Sequence, residues 1–381
     1  MRIGIEAQRL FRTKKHGMDV VVLELIKGLQ QIDKVNQYFV FTKEGGDEKC
    51  FTPSGNFQVV KTGRSPYPFW EQFTLPVLVK KYKIDLLHCT SNTGPLFLKT
   101  PILLTLHDII FINAGSKIAK GGNLYQRLGN LYRRLVVPRL IPRCKLIITV
   151  SDYAKTEIQK YFGIDDHKIV KVYNGISDEF KNCPTNMELS LLKTKYALPE
   201  KFVFFFGNTA PKKNLAGTLD AFLNHTSPHT RDRYRLVVAD LAEKDLIRVL
   251  RSLNSMDSRD KIHLVGYIQQ KELVSFFHAA ELFLYPSLVE SFGLPILESM
   301  TCGTPVISSH NASMPEIAGE AALLVDPLQP KELGMAVEDV LSFDKLYQRL
   351  VDLGFRRIKK FSYLTMTKQM HKLYLSSCRR V

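Results

Sequence analysis

Short apolar runs of strand character recur along almost the whole chain, with helix-period segments between them, and this alternation leaves few architectures open. The first series reads RIGIEA at 2–7, FVFT at 39–42, FQVV at 57–60, DLLHC at 85–89, ILLTL at 102–106, LIITV at 146–150 and IVKVY at 169–173. A second begins with FVFFFGN at 202–208 and continues with YRLVVAD at 234–240, IHLVG at 262–266, ELFLY at 281–285, TPVIS at 304–308 and AALLV at 321–325. Strands that alternate with helices build parallel sheets covered on both faces, so the chain reads as α/β. Between Asn174 and Leu198 the pattern weakens into NGISDEFKNCPTN, whose Gly, Pro, Asn and Asp suggest the connection between two domains. A length of 381 residues accommodates two domains of ordinary size. The tail from Ser362 has helical character.

Composition narrows the class. Hydrophobic content of 45% and charged content of 24% describe a soluble globular protein. No apolar stretch reaches the ~18 residues of a membrane span, and the first strand begins at once with no secretory segment, so a cytoplasmic location is expected. The six cysteines are scattered without a C-x-x-C pair, which favours free thiols over disulfides or zinc ligands. Net charge is +16, and residues 51–150 hold fourteen Lys or Arg against three acids. Such a surface favours an anionic partner. Within it, 123–143 reads as a helix to about Val137, with Leu124, Leu128, Leu131 and Leu135 on one stripe and Arg127, Arg133 and Arg134 around it. The leucines are expected in the core and the arginines outside, where anionic membrane headgroups would attract them.

The most informative stretch is 279–310, AAELFLYPSLVESFGLPILESMTCGTPVISSH. The run Leu282–Tyr285 reads as a buried strand. Glu290 follows its turn, Ser291, Phe292 and Gly293 lead into a helix, Pro295 suits its first turn, and Glu298 lies about two turns along it. Free N–H groups at a helix start favour an anion, above all phosphate. A bare pair of glutamates on a helix is ordinarily a solvated face, but this setting of strand, turn, helix and strand is similar to the signature of retaining sugar-nucleotide glycosyltransferases of family four. That resemblance implies the GT-B fold: two Rossmann-like domains facing each other across a cleft. It puts the acceptor-side domain at 1–176 and the donor-nucleotide domain at 177–361, with a terminal helix, 362–381, returning to the first. It also implies that Glu290 meets the donor sugar, that Glu298 meets the ribose, and that Ser291, Phe292, Gly293 and Leu294 offer main chain to sugar and phosphate.

Other stretches fit the same resemblance. Lys212 and Lys213, in NTAPKKNL, occupy the positions that contact the donor diphosphate, and compact ammonium charges suit that task. Asn208 stands where some relatives carry an arginine. His107, in TLHD, ends a strand where such sheets bind ligands and is placed against the donor sugar, with Asp108 to orient its ring. Gly266, Tyr267 and Ile268 match the main-chain nucleobase site, and Gly17 matches a glycine that lets backbone approach the phosphate, although KKHGMD departs from the usual double glycine. Trp70, Glu71 and Gln72 resemble a pattern near the acceptor, or are structural.

No D-x-D occurs, so no metal ion and no other cofactor is expected; neither G-x-G-x-x-G after the first strand nor G-x-x-x-x-G-K-[ST] is present. The expected activity is metal-independent hexosyl transfer from a nucleotide sugar to a glycan or lipid-linked acceptor of envelope polysaccharide or lipopolysaccharide, with catalysis carried by His107, Lys213 and Glu290. No nucleic-acid partner is expected. An epimerase or hydrolase on this fold, and a non-catalytic nucleotide-sugar or nucleic-acid binder, are the alternatives.

Overall fold

The computed structural model describes residues 1–15, 17–63, 65–112 and 124–378. The chain forms two compact units, one of Met1–Gly175 with the chain from Phe361 onward, the other of Ile176–Lys360.

The first unit is built on a seven-stranded sheet with the order β3-β2-β1-β4-β5-β6-β7. Its strands are β1 (Arg2–Glu6), β2 (Gln37–Lys43), β3 (Phe57–Thr62), β4 (Leu86–Cys89), β5 (Ile102–Thr105), β6 (Leu146–Thr149) and β7 (Ile169–Lys171). Every pairing is parallel, with Ile3 registered against Tyr38 on one side and Leu86 on the other. After β3 the chain crosses back to lay β4 on the other side of β1, and this reversal opens a crevice at the carboxyl ends of β1 and β4.

Successive strand residues face opposite sides, and the helices divide accordingly. Leu87 and Cys89 join the core that contains Trp70, Leu75, Val79, Val136, Val137 and Leu140. His88, between them, points the other way, and its Nδ1 lies 2.7 Å from the Tyr374 hydroxyl. On that side the helices Gly17–Ile32 and Tyr363–Cys378 pack together. Gly28 permits this contact, because a Cβ there would lie 2.3 Å from Thr367 Oγ1.

On the Trp70 side, residues 67–81 form one rod: helical at Tyr67–Phe69, a π turn at Trp70–Thr74, helical again at Leu75–Lys81. The π turn aims Glu71 inward. Its carboxylate accepts from Thr93 Oγ1 at 2.6 Å and from the hydroxyls of Tyr67 and Tyr132. Burial pushes Glu71 up to about 7, against the pull of those bonds.

Two sequence expectations need correction. The helix Leu124–Leu140 is turned relative to the leucine stripe, for Leu128, Leu131 and Leu135 are 57%, 50% and 51% exposed. Its inward positions belong to Val136, Val137 and Leu140, and to Tyr132, whose hydroxyl must reach Glu71. That polar anchor fixes the helix rotation. The Leu124 side chain lies outside the described residues. Arg134 and Arg133 are half-buried, Arg134 donating to the Phe111 carbonyl and Arg133 to Asn130. The second correction concerns 174–198, which carries the helix Asn186–Tyr196, opened by a capping box of Thr185 and Glu188. This helix is mostly exposed and buries Leu192, so it has no apolar face for a sequence pattern to reveal.

The second unit repeats the winding in six strands, order β10-β9-β8-β11-β12-β13. They are β8 (Phe202–Phe206), β9 (Arg235–Ala239), β10 (Ile262–Gly266), β11 (Leu282–Tyr285), β12 (Val306–Ser309) and β13 (Leu323–Val325), all parallel. The rings of Phe204, Phe276, Phe277 and Phe283 fill one side of this sheet. After β10 the chain crosses back to lay β11 on the other side of β8, which places the ends of β8 and β11 side by side. Among the described residues, no helix is long and apolar enough to cross a membrane.

Candidate active site

The pairing of β8 with β11 decides which loops meet. Leu282 pairs with Val203 and Leu284 with Phe205, so the loop from Gly207 to Asn214 lies beside the loop from Pro286 to Gly293. The first loop makes a tight turn, Pro211–Lys213, and closes on Asn214 in the left-handed region with φ 57°. Asn214 Nδ2 donates to the carbonyls of Pro286 and Pro327 at 3.2 and 2.7 Å. The Leu288 amide donates to the Lys212 carbonyl at 2.8 Å, which stitches the two loops together.

Three charged side chains converge across this seam. Lys212 Nζ lies 3.0 Å from Glu290 Oε2, and Lys213 Nζ lies 2.8 Å from Oε1. Lys213 also donates to the Tyr285 hydroxyl at 3.2 Å and stands 4.7 Å above that ring. Glu290 is buried, which by itself raises a carboxyl, but the Lys213 and Lys212 ammoniums outweigh burial and hold it at about 2. Burial works the other way on Lys212, and the Glu290 charge outweighs it, leaving the lysine above its ordinary value. Two cations share one carboxylate, so the cluster keeps a positive surplus.

Serines from the neighbouring strand pin the second loop from behind. Ser308 Oγ donates to the Tyr285 carbonyl at 3.0 Å and Ser309 Oγ to that of Ser287 at 2.7 Å. Ser313 Oγ reaches the carbonyls of Glu290 and Phe292 at 2.8 and 3.1 Å. With those carbonyls held, the loop ends at Gly293, where φ is +99° and the helix Leu294–Thr301 begins. A side chain there would be strained by that φ, and its Cβ would lie 3.1 Å from Ile296 Cδ1. Ser291 and Phe292 lie in the loop directly before that helix start, and Leu294 is its first residue. Glu298 lies further along the helix, and burial pushes it up to about 8. This carboxyl lacks the cation partners of Glu290, which is why two acids on one motif titrate so far apart.

Gly266 ends β10 with φ +64°. Its carbonyl accepts the Asp240 amide at 2.7 Å, and Asp240 in turn accepts from Asn208 Nδ2 at 3.3 Å. Asn208 thus links the β8 loop to the end of β10, and its Oδ1 accepts the Ala210 amide at 3.0 Å. Tyr267 is 42% exposed while Ile268 is buried.

His107 and Gly17 belong to the first unit. His107 follows β5; its amide donates to Asn92 Oδ1 at 2.7 Å, and its Nε2 lies 3.2 Å from the Thr90 carbonyl. That carbonyl fixes Nε2 as the protonated nitrogen, and burial lowers the ring's pKa, so the imidazole is neutral near pH 7. Asp108, expected to orient the ring, accepts instead from the Ile110 amide at 3.1 Å. Glu6, at the end of β1, accepts from the Thr90 amide at 3.3 Å, so the crevice of the first sheet also has a buried carboxyl. Gly17 is the exposed first residue of its helix. Sequence reasoning missed Asn214, Tyr285 and Ser313. Ser313 lies in a short polar run that starts at the end of β12, SSHNAS at 308–313, which does not by itself single it out.

Two family models match in succession: Glycosyltransferase Family 4 over residues 16–180 and Glycosyl transferases group 1 over 192–357. The chain is 33% identical over 234 residues to O-antigen chain mannosyltransferase B of Escherichia coli, covering 60% of each chain. It is 28% identical to the E. coli serotype-specific mannosyltransferase WbdA over 58% of this chain and 27% of that one. The matched stretches therefore span less than two thirds of these relatives. HepE from Anabaena, solved with UDP and glucose, superposes with a TM-score of 0.74 at 18% identity, over 99% of this chain and 100% of that one. The paired sheets and the two successive models agree: the chain belongs to the family-four glycosyltransferases, with the GT-B fold.

Proposed function

We propose that the protein is a retaining hexosyltransferase, taking a hexose from a nucleotide diphosphate sugar to a glycan or lipid-linked acceptor of envelope polysaccharide. The observation that carries this reading is Glu290 held between Lys212 and Lys213, beside a glycine-started helix at the switch point of the second sheet. The surplus cation suits a diphosphate, and the positive end of the helix dipole at Gly293 adds to it. As the diphosphate takes over the lysines, Glu290 is released toward the sugar. Glu298 binds the ribose hydroxyls, and Gly266, Tyr267 and Ile268 hold the base by main chain. Asn208 steadies that side through Asp240.

Bond breaking builds charge on the departing diphosphate, and Lys213 is the group that meets it. That diphosphate accepts the acceptor hydroxyl's proton on the same face, so the new bond keeps the donor's configuration. His107, neutral and fixed by Thr90, hydrogen-bonds the sugar without adding charge. Gly17 offers the amide end of its helix to phosphate. No metal enters this scheme, so EDTA should leave the rate unchanged. The work belongs at the cytoplasmic side of a membrane, where the lipid-linked acceptor presents its glycan.

Both E. coli relatives are named mannosyltransferases, so mannose nucleotides are the first donors to test. The experiment is incubation with UDP-, GDP- and ADP-sugars, following thermal shift and slow hydrolysis without acceptor, with the product anomer read by NMR. A stabilising donor that is hydrolysed with retention supports the reading. Inversion, or tight binding without turnover under any acceptor, overturns it.

A further inference from the structure

The outward turn of the leucine stripe has a neighbour. On the rod 67–81, Phe69, Phe73 and Val77 are 55%, 62% and 66% exposed, and the rings of Phe69 and Phe73 stack at 5.2 Å. In the loop before β5, Phe97 is 82% exposed. These segments adjoin, and Gln72 joins them: its Nε2 donates to Tyr132 Oη at 2.7 Å and to the Gly94 carbonyl at 3.0 Å, and its Oε1 accepts the Leu96 amide at 2.9 Å. Both helices pack on the same core, so their outer faces share one side of the sheet.

Soluble surfaces scatter their apolar residues singly, whereas a contiguous patch marks a contact. The charges around this one indicate what it meets. Lys80, Lys81, Arg127, Arg139 and Arg143 are exposed there, and 124–143 contains no acidic residue. The one acid on the rod, Glu71, is buried. Aromatic and leucine side chains rimmed by lysine and arginine fit a hydrocarbon boundary beneath anionic headgroups. A protein partner would leave this one-signed rim to be met by a matching acidic face; a second copy would bring the same cations against themselves.

We propose that this face, Phe69–Phe73–Val77 with Leu128–Leu131–Leu135, inserts into the surface of an anionic phospholipid bilayer. The arginine-only attraction expected from sequence is replaced by shallow insertion, with Lys80, Lys81 and Arg127 held at the headgroups. The test needs no turnover.

The test is flotation of the full chain with phosphatidylglycerol vesicles and with phosphatidylcholine vesicles, at low and high salt. The wild type should float with phosphatidylglycerol and keep part of that binding at high salt. F73S/L131S, both at exposed positions, should retain the wild-type melting temperature and lose binding by more than about tenfold. K80Q/K81Q/R127Q should lose more than about tenfold at low salt and little at high salt. M187S, exposed on the second unit, should bind as wild type. Binding by F73S/L131S equal to wild type, or no flotation of wild type with either vesicle, would overturn the proposal. So would a concentration-dependent dimer, seen by sedimentation without lipid and abolished by F73S/L131S, which would assign the face to a second copy.

Discussion

Two glutamates eight positions apart end up with opposite chemistry, Glu290 held at about 2 and Glu298 pushed up to about 8. The difference is lysine. Glu298→Gln tests the cost of the unpaired acid. A carboxyl whose folded value exceeds its unfolded value contributes stability below the unfolded value and loses it as pH rises through the folded one. The wild type should therefore be penalised near pH 9, and E298Q should melt higher there by about 2–4 °C, the yield of ~1 kcal/mol in a domain of this size. The same variant should bind nucleoside diphosphate more weakly, by ~0.5–1.5 kcal/mol for each ribose hydrogen bond lost, measured by calorimetry. Equal melting at pH 9 and pH 5 relative to wild type would show that Glu298 is not strained by burial. Glu290 carries the opposite sign: its stabilisation is present above the unfolded value near 4.5 and is lost as pH falls toward about 2. E290A should leave diphosphate affinity nearly intact, since it frees both lysines, while turnover falls. Lys213→Ala should lower kcat, by ~2–4 kcal/mol in barrier, more than it raises donor KM. An effect confined to KM would make Lys213 a binding group only.

At the scale of elements, the strands were the legible part, because strands buried on both faces read as unbroken apolar runs. The loops at the second switch point were legible too, through the letters around Glu290 and the lysine pair. What no spacing reveals is that residues 213 and 290 touch, or that Ser313 stands behind the turn; those follow from the β8–β11 and β11–β12 pairings. The leucine helix misleads for a different reason. Its sequence offers two apolar stripes, and the choice between them was made by a polar bond, Tyr132 to Glu71, which periodicity does not register. Ser313→Ala examines the hidden support of the turn. Two buried carbonyls would lose their donor, at a cost of ~1–3 kcal/mol. The expected result is a lower melting temperature together with weaker diphosphate binding, since Glu290 and Phe292 lose their anchor. A drop in stability with unchanged affinity would detach the serine from the site.

For the molecule as a whole, the first unit is discontinuous: it includes the chain from Phe361 onward, beyond the entire second unit. Tyr374 is fully buried against His88, and Thr367 seats against Gly28. Ending the chain at Lys360 should therefore strip the apolar cover from Gly17–Ile32 and lower the stability of the first unit. Hydrogen exchange should report the loss in β1 and β4 and spare β8 and β11. Uniform exchange across both units would refute it. Chain order then sets a schedule for synthesis. A ribosome delivers residues 1–175 well before the strip that seals them, and everything the second unit needs is made in between. The unit encoded later is the one able to finish earlier, and the nascent first unit must wait with an open hydrophobic seam until the helix Tyr363–Cys378 emerges. Stalled nascent chains ending near residue 360 should accordingly show a protease-resistant second unit beside a first unit still open to cleavage.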